Sequence, residues 1–356
     1  MSANRIVIKI GSNVIARADG TVDVPWLEHL CAQVAALHRQ GWEPLIVSSG
    51  AVASGRSRLP LPKKTDPVTQ RQLLAAVGQT QLINTYTQLL EPHRLICAQV
   101  LVTKEDFRSR RHYLNVRHCL DTILHHRAIP IVNENDVVSV TELMFTDNDE
   151  LAGLVAAMID AERLVILTNV AGIYDRPPTD PSAQLIARAT VDTDFAGMIS
   201  AERSDFGRGG MLTKVRMAQK VAALGVGVHI ADGRQPEVLA ALLQSPPPGT
   251  FIEPLKKSTG LKRWISHSGG YVQGSLTVNA GALGALTQTQ RATSLLSVGI
   301  THVGGTFEKN DIVRLCTPEG ETFGIGRVRY ASAEVAQLVG QRGHKPVVHY
   351  DYLYLY

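Results

Sequence analysis

No run in this sequence approaches the roughly 20 consecutive apolar residues that a membrane-spanning helix requires, and the composition is that expected of a soluble globular chain. Cysteine is scarce. Cys31, Cys97, Cys119 and Cys316 stand far apart in apolar stretches, without CxxC or Cys/His ligand spacing, and are expected as buried thiols rather than a zinc site or disulfide framework. A dominant charge of one sign is missing as well. Residues 1–254 carry 25 Lys and Arg against 26 Asp and Glu, a net of −1, whereas residues 255–356 carry 11 against 6, a net of +5. That modest surplus permits nucleic-acid contact in the C-terminal part without demanding it, and the tail lacks the interleaved aromatics and arginines of a stacking RNA surface. A solenoid-type repeat and a low-complexity tail are absent too. The N-terminal run MSANRIVIKIGSN passes straight into a strand-like segment without a charged leader, which favours a cytoplasmic location.

The chain has 356 residues, 44% of them hydrophobic and 19% charged, which is enough for a sizeable core and more than one core usually organises. Over the first two-thirds, short β-rich runs alternate with segments of helical apolar spacing. RIVIKI, EPLIVSS, LICAQVLV, IPIVNEN, RLVILTN and GVHIA are the strand candidates. Trp26, Leu27, Leu30, Val34 and Leu37, and later Leu73, Leu74, Val77, Leu82 and Ile83, mark helices. The pattern predicts an α/β fold with a mostly parallel sheet sandwiched by helices over residues 1–254. After Pro246, Pro247 and Pro248 it breaks. Residues 255–356 read as a small β-rich domain with turns at HSGG, VGG, EKND and PEGE.

Parallel sheets of this kind bind ligands beyond the carboxyl ends of their strands, and here those ends are polar and glycine-rich. The first strand ends in Lys9, Ile10, Gly11 and Ser12, an ammonium beside a residue without a side chain, which suits a phosphate and equally a plain surface turn. The second ends in Ser48, Ser49, Gly50, Ala51 and continues to Gly55, opening a helix whose first N–H groups suit an anion or serve only as a cap. IPIVNEN leads to Asn133, Glu134, Asn135 and Asp136, then a hairpin-like stretch, then Thr146 to Glu150, where carboxylates and carboxamides suit an ammonium group and Asp147 or Asn148 suits an N-cap. RLVILTN ends in Thr168 and Asn169. Further on, Phe206 to Lys214 (FGRGGMLTK) places glycine amides and a lysine at a helix start, which suits a polyphosphate and also a plain flexible turn before a helix. Neither GxGxxG nor the Walker A order GxxxxGK[ST] is present.

Taken in order, KIGSN, SSGAVASG, VNENDVV, TDND, LTNVAGIY and GRGGMLTK resemble the amino-acid kinase family. The segment from about residue 262, with GSLTVNAGALGAL, SLLSVGITHVGGTFEKNDIVRL and GETFGIGRV, resembles the PUA module that some of its members carry. The resemblance covers essentially the whole chain. It implies ATP-dependent phosphorylation of the L-glutamate side-chain carboxylate to glutamate 5-phosphate, the first step of proline biosynthesis, with Mg2+ accompanying ATP. By the same resemblance Lys9 and Lys214 neutralise the transferring phosphoryl group, and Asp149 holds both lysines. Ser49, Gly50, Ala51, Asn133, Asp136 and Asn148 form the substrate set. The nucleotide site comprises Lys9, Gly11, Thr168, Asn169, Arg208, Gly209, Gly210, Met211, Leu212, Thr213 and Lys214. No metal ligand from protein side chains is implied. The family pattern differs at three places: aspartate is common where this chain has Asn169, threonine where it has Arg208, and glycine where it has Asn310, a residue that also tolerates a left-handed turn. The resemblance also implies a homo-oligomer, dimer or tetramer, proline as feedback inhibitor, and RNA as a possible partner of the PUA-like domain. Acetylglutamate, carbamate, aspartate or a nucleotide as acceptor is the competing enzymatic reading, and an RNA-binding factor the competing one of another class.

Overall fold

The computed structural model describes residues 4–17, 21–59, 66–108, 110–139, 145, 147–195, 198, 211–244, 247–255, 272–287 and 293–355. Its contacts divide into two compact units, Met1–Lys257 and Ser258–Tyr356.

The first unit is built on an eight-stranded sheet of β1 (Arg5–Ile10), β2 (Glu43–Ser48), β3 (Cys97–Val102), β4 (Ile129–Glu134), β5 (Arg163–Thr168), β6 (Arg188–Ala189), β7 (Gly227–Asp232) and β8 (Thr250–Ile252). The order is β3-β4-β2-β1-β5-β7-β8-β6. Every pairing is parallel except β7 with β8. Ile6, Val7, Ile8 and Ile10 are all buried although they point alternately to both faces, as a parallel sheet covered on both sides requires. The strand's single charged interior residue is Lys9, opposite Val47 on one neighbour and Ile166 on the other.

The helices of this unit are α1 (Ser12–Ile15), α2 (Val24–Arg39), α3 (Ala51–Arg56), α4 (Pro67–Leu90), α5 (Lys104–Arg108), α6 (Arg110–His125), α7 (Asn148–Met158), α8 (Met211–Ala223) and α9 (Val238–Ala241). Caps set several starts. Asp66 accepts from Thr69 N at 2.9 Å with Pro67 at the first position of α4, and Asp147 accepts from Asp149 N and Glu150 N, both at 3.0 Å. Of the two sequence candidates for the α7 cap, Asp147 therefore takes the role and leaves the Asn148 side chain for other partners. Helices α3 and α4 touch backbone to backbone. A Cβ on Gly55 would lie 2.0 Å from Leu74 O, and one on Gly78 would lie 1.7 Å from Ala51 O, so only glycine fits at either place. That contact locks α4 to the turn following β2.

One expectation is corrected. Cys31 and Cys316 are buried and Cys97 is partly covered, but Cys119 is exposed, because α6 is amphipathic and presents that position outward. Burial pushes the Cys31 thiol up to about 12.

The second unit holds a five-stranded sheet of β9 (Gly274–Val278), β10 (Ile300–Gly305), β11 (Ile312–Cys316), β12 (Thr322–Val328) and β13 (Val348–Leu355), ordered β10-β9-β11-β12-β13. Only β9 and β11 run parallel. Leu276, Phe307, Leu315, Val335 and Val348 form its core. Asn310 adopts φ 79°, the left-handed turn expected of it.

Candidate active site

The carboxyl ends of β1, β2, β4 and β5 face one cleft of about 770 Å³. At its floor, Lys9 and Lys214 reach the same carboxylate. Lys9 Nζ lies 2.6 Å from Asp149 Oδ1, and Lys214 Nζ donates to Oδ2 at 2.6 Å. The Asp149 side chain is 1% exposed. Burial alone would raise its carboxyl, but the charges of Lys9 and Lys214 outweigh that and hold it below its ordinary value. The three residues come from β1, α7 and α8, which the sheet order brings side by side. A buried anion with two cations leaves a net positive charge facing the cleft, the sign a polyphosphate needs.

Gly11 serves this cluster in a way the sequence did not suggest. Its amide donates to Leu167 O at 3.4 Å, and a Cβ there would sit 3.2 Å from that oxygen and 3.3 Å from Lys9 Nζ. The bare backbone gives the lysine head its room.

Beside the cluster, Asn148 Nδ2 donates to Ser49 Oγ at 2.9 Å, to Ser48 O at 3.1 Å and to Asn133 Oδ1 at 3.1 Å. The Asn133 amide nitrogen donates to Gln79 Oε1 at 3.0 Å. Gly50, at φ 109°, turns the chain from β2 into α3. This network ties the ends of β2, β4 and α7 into one polar wall.

At the end of β4, Asp136 and Glu134 share one guanidinium. Arg71 forms a short ion pair with Asp136 Oδ1 and another at 3.3 Å with Glu134 Oε2, and Phe145 N donates to Glu134 Oε1 at 3.0 Å. Burial, and then the charge of Asp136, push Glu134 up to about 6. Burial also raises the Asp136 carboxyl, against the opposing pull of Arg71. Asp147 is raised by burial and by Asp149.

Of the residues expected in the site, Lys9, Gly11, Ser49, Gly50, Asn133, Asp136, Asn148, Asp149, Thr168, Asn169, Met211 and Lys214 all line this cleft. Ala51 packs its methyl into the core instead, Leu212 is half-buried away from the lining, and Thr213 is exposed. Arg208, Gly209 and Gly210 lie outside the described residues, as do Thr146 and most of the hairpin-like stretch before it. Sequence reasoning missed Arg71, Gln79 and Tyr174. Arg71 and Gln79 sit on one face of the long α4 helix, where nothing local separates them from ordinary surface residues. Among the described residues, no group of three His, Cys, Asp or Glu is arranged to hold a metal ion.

Comparison with known proteins agrees with this architecture. The profile described as amino acid kinase family matches residues 4–232, and that of the PUA domain matches residues 274–350. The chain belongs to the amino acid kinase family and carries a PUA domain. Within the family its relatives at high identity are glutamate 5-kinases: that of Bacteroides thetaiotaomicron is 49% identical over 99% of this chain and 98% of its own length, and that of Chlorobaculum tepidum 46% identical over 99% and 97%. Among solved structures, carbamate kinase from Giardia lamblia bound to AMP-PNP covers 71% of this chain and 99% of its own at TM-score 0.53 and 18% identity, a likeness of fold.

Proposed function

We propose that this chain phosphorylates the side-chain carboxylate of L-glutamate with ATP, forming glutamate 5-phosphate and ADP in the first step of proline biosynthesis, and that the cleft just described is where it does so. The observation that carries the assignment of the site is the pair of ammonium groups, Lys9 and Lys214, each 2.6 Å from one oxygen of Asp149. Two cations held by one buried anion are aimed before substrate arrives, so little reorganisation is left for the reaction.

Glutamate's side-chain carboxylate, with a pKa of about 4.3, is ionised at neutral pH and needs no general base. One of its oxygens bonds to the γ-phosphorus while the bond from that phosphorus to the bridging oxygen of ADP breaks, and ADP carries away the electron pair. What opposes the step is repulsion between an anionic nucleophile and a polyanion. Lys9 and Lys214 offset it, one toward each side of the transferred group. Asp149 orders the lysines and takes no proton. Asn148, Ser49 and Asn133 form the wall against which glutamate lies, and Asp136 supplies an anion for its α-ammonium. Thr168, Asn169 and Met211 flank the nucleotide side of the same cleft. Both Asp149 oxygens are engaged by lysines, so Mg2+ would enter with the phosphates of ATP rather than on Asp149, and it would supply further charge neutralisation when bound.

The proposal extends to a cytoplasmic site of action, a homo-oligomeric assembly, proline as end-product inhibitor, and RNA as a partner of the PUA domain, which lies within the positively charged span 255–356. The test is ADP release over a panel of acceptors: glutamate, acetylglutamate, aspartate and carbamate. Glutamate alone is expected to respond. A response to another acceptor with none to glutamate would overturn the assignment, and RNA binding lost on deleting residues 255–356, with no phosphoryl transfer at all, would replace it.

A further inference from the structure

Phosphoryl transfer as described makes no use of Arg71, yet this residue lines the cleft and is paired with both acids at the end of β4. The Glu134 and Asp136 side chains are nearly sealed, at 4% and 9% exposure, whereas that of Arg71 is 24% exposed. The cation is thus the member of the trio that a ligand in the cleft reaches most readily. With both acids ionised the trio carries a net charge of −1, so it tolerates one more positive group but not an unaccompanied negative one. A guanidinium lining the cleft beside an aspartate is the mirror of an amino-acid head group. The planar fork matches a carboxylate and the aspartate matches an ammonium. The support is rigid as well, since the Gly55 and Gly78 contacts hold α4 against α3 with no space for adjustment.

We infer that Arg71 is a specificity-determining residue that binds the free α-carboxylate of the substrate while Asp136 binds its α-ammonium, so that the acceptor must be an α-amino acid with an unblocked α-carboxylate. The inference rests on the reading of this cleft as the glutamate site. Its rival is a purely internal role, in which Arg71 only keeps Asp136 ionised and in place.

The two roles separate on isoglutamine, whose side-chain carboxylate is intact and whose α-carboxylate is an amide. Acyl phosphate formation is followed by trapping with hydroxylamine. The full-length enzyme is expected to prefer glutamate over isoglutamine by about 100-fold in kcat/KM, the scale on which a site built for a charged hydrogen-bonding group rejects an analogue lacking it. In Arg71→Gln the loss falls on glutamate, chiefly through KM. Isoglutamine stays within about threefold and KM for ATP within about twofold, so the preference drops to near unity; Arg71→Lys restores part of it. If glutamate and isoglutamine lose activity together and the preference persists, Arg71 only supports Asp136 and the inference is wrong. A wild-type enzyme that uses both equally well sinks it too. Should Arg71→Gln fail to fold, labelling of Arg71 by phenylglyoxal in the wild-type protein, mapped by peptide mass, gives the answer. Protection by glutamate but not by isoglutamine at equal concentration supports the role, and labelling that glutamate leaves unchanged refutes it. A wild-type enzyme inactive on glutamate would instead overturn the functional reading and this inference with it.

Discussion

Replacing Asp149 by asparagine keeps the shape of the site and removes only the charge that joins its two lysines. Ammonium groups each 2.6 Å from opposite oxygens of one carboxylate are on the order of 6 Å apart, and at an effective dielectric constant of about 20 they repel by about 3 kcal/mol. That agrees with the roughly 3–5 kcal/mol lost when a buried ion pair is left with one partner. Asp149→Asn is therefore expected to destabilise the ligand-free kinase domain by about 3 kcal/mol, or about 6 to 12 °C in Tm for a unit of this size. ATP brings negative charge to the orphaned lysines, so a non-hydrolysable ATP analogue should restore much of the loss and shift Tm further in the variant than in the wild type. Catalysis does not recover, because the lysines are no longer aimed. The kcat is expected to fall by roughly two to three orders of magnitude while KM for ATP stays level or drops. Differential scanning fluorimetry with and without the analogue, alongside steady-state kinetics, reads both effects. A variant with kcat within about threefold of wild type and an unchanged nucleotide shift would refute the idea that Asp149 organises the cations.

Lys9→Ala and Lys214→Ala are each expected to lower kcat by roughly two to three orders of magnitude, the usual loss for one preorganised charge-stabilising group; a variant within about threefold of wild type removes that lysine from the mechanism. Asp136→Ala should raise KM for glutamate and spare KM for ATP, and if both constants move alike Asp136 is structural. Glu134 is held up at about 6 by burial and by Asp136, so it is ionised at pH 7 and protonated below about 6. Its protonation removes one negative charge from the subsite for the α-ammonium. KM for glutamate should accordingly rise roughly tenfold as pH falls from 7 to 5, and Glu134→Gln should show the raised KM at pH 7 with the step gone. A step that persists in Glu134→Gln belongs to another group.

What could be read in the sequence was whatever neighbouring residues encode among themselves. Apolar runs such as RIVIKI and RLVILT specify strands buried on both faces, the spacing from Leu27 to Leu37 specifies a helix, and prolines at 246–248 followed by short turn-bounded runs mark a change of architecture. Lys9, Asp149 and Lys214 were legible as residue types at strand and helix ends, through resemblance to the amino-acid kinase family. Which groups touch was decided only in three dimensions. Strand order β2-β1-β5 places Lys9 under α7, the α7 cap falls to Asp147 and frees Asn148 for Ser49 and Asn133, and two glycines bring α4 close enough for Arg71 to meet Asp136 and Glu134. The physical reason is range. Propensity and periodicity act over a few residues, whereas an ion pair between positions 9 and 149, or 71 and 136, exists only once the sheet has chosen its neighbours and the interior has excluded the water that would otherwise screen it.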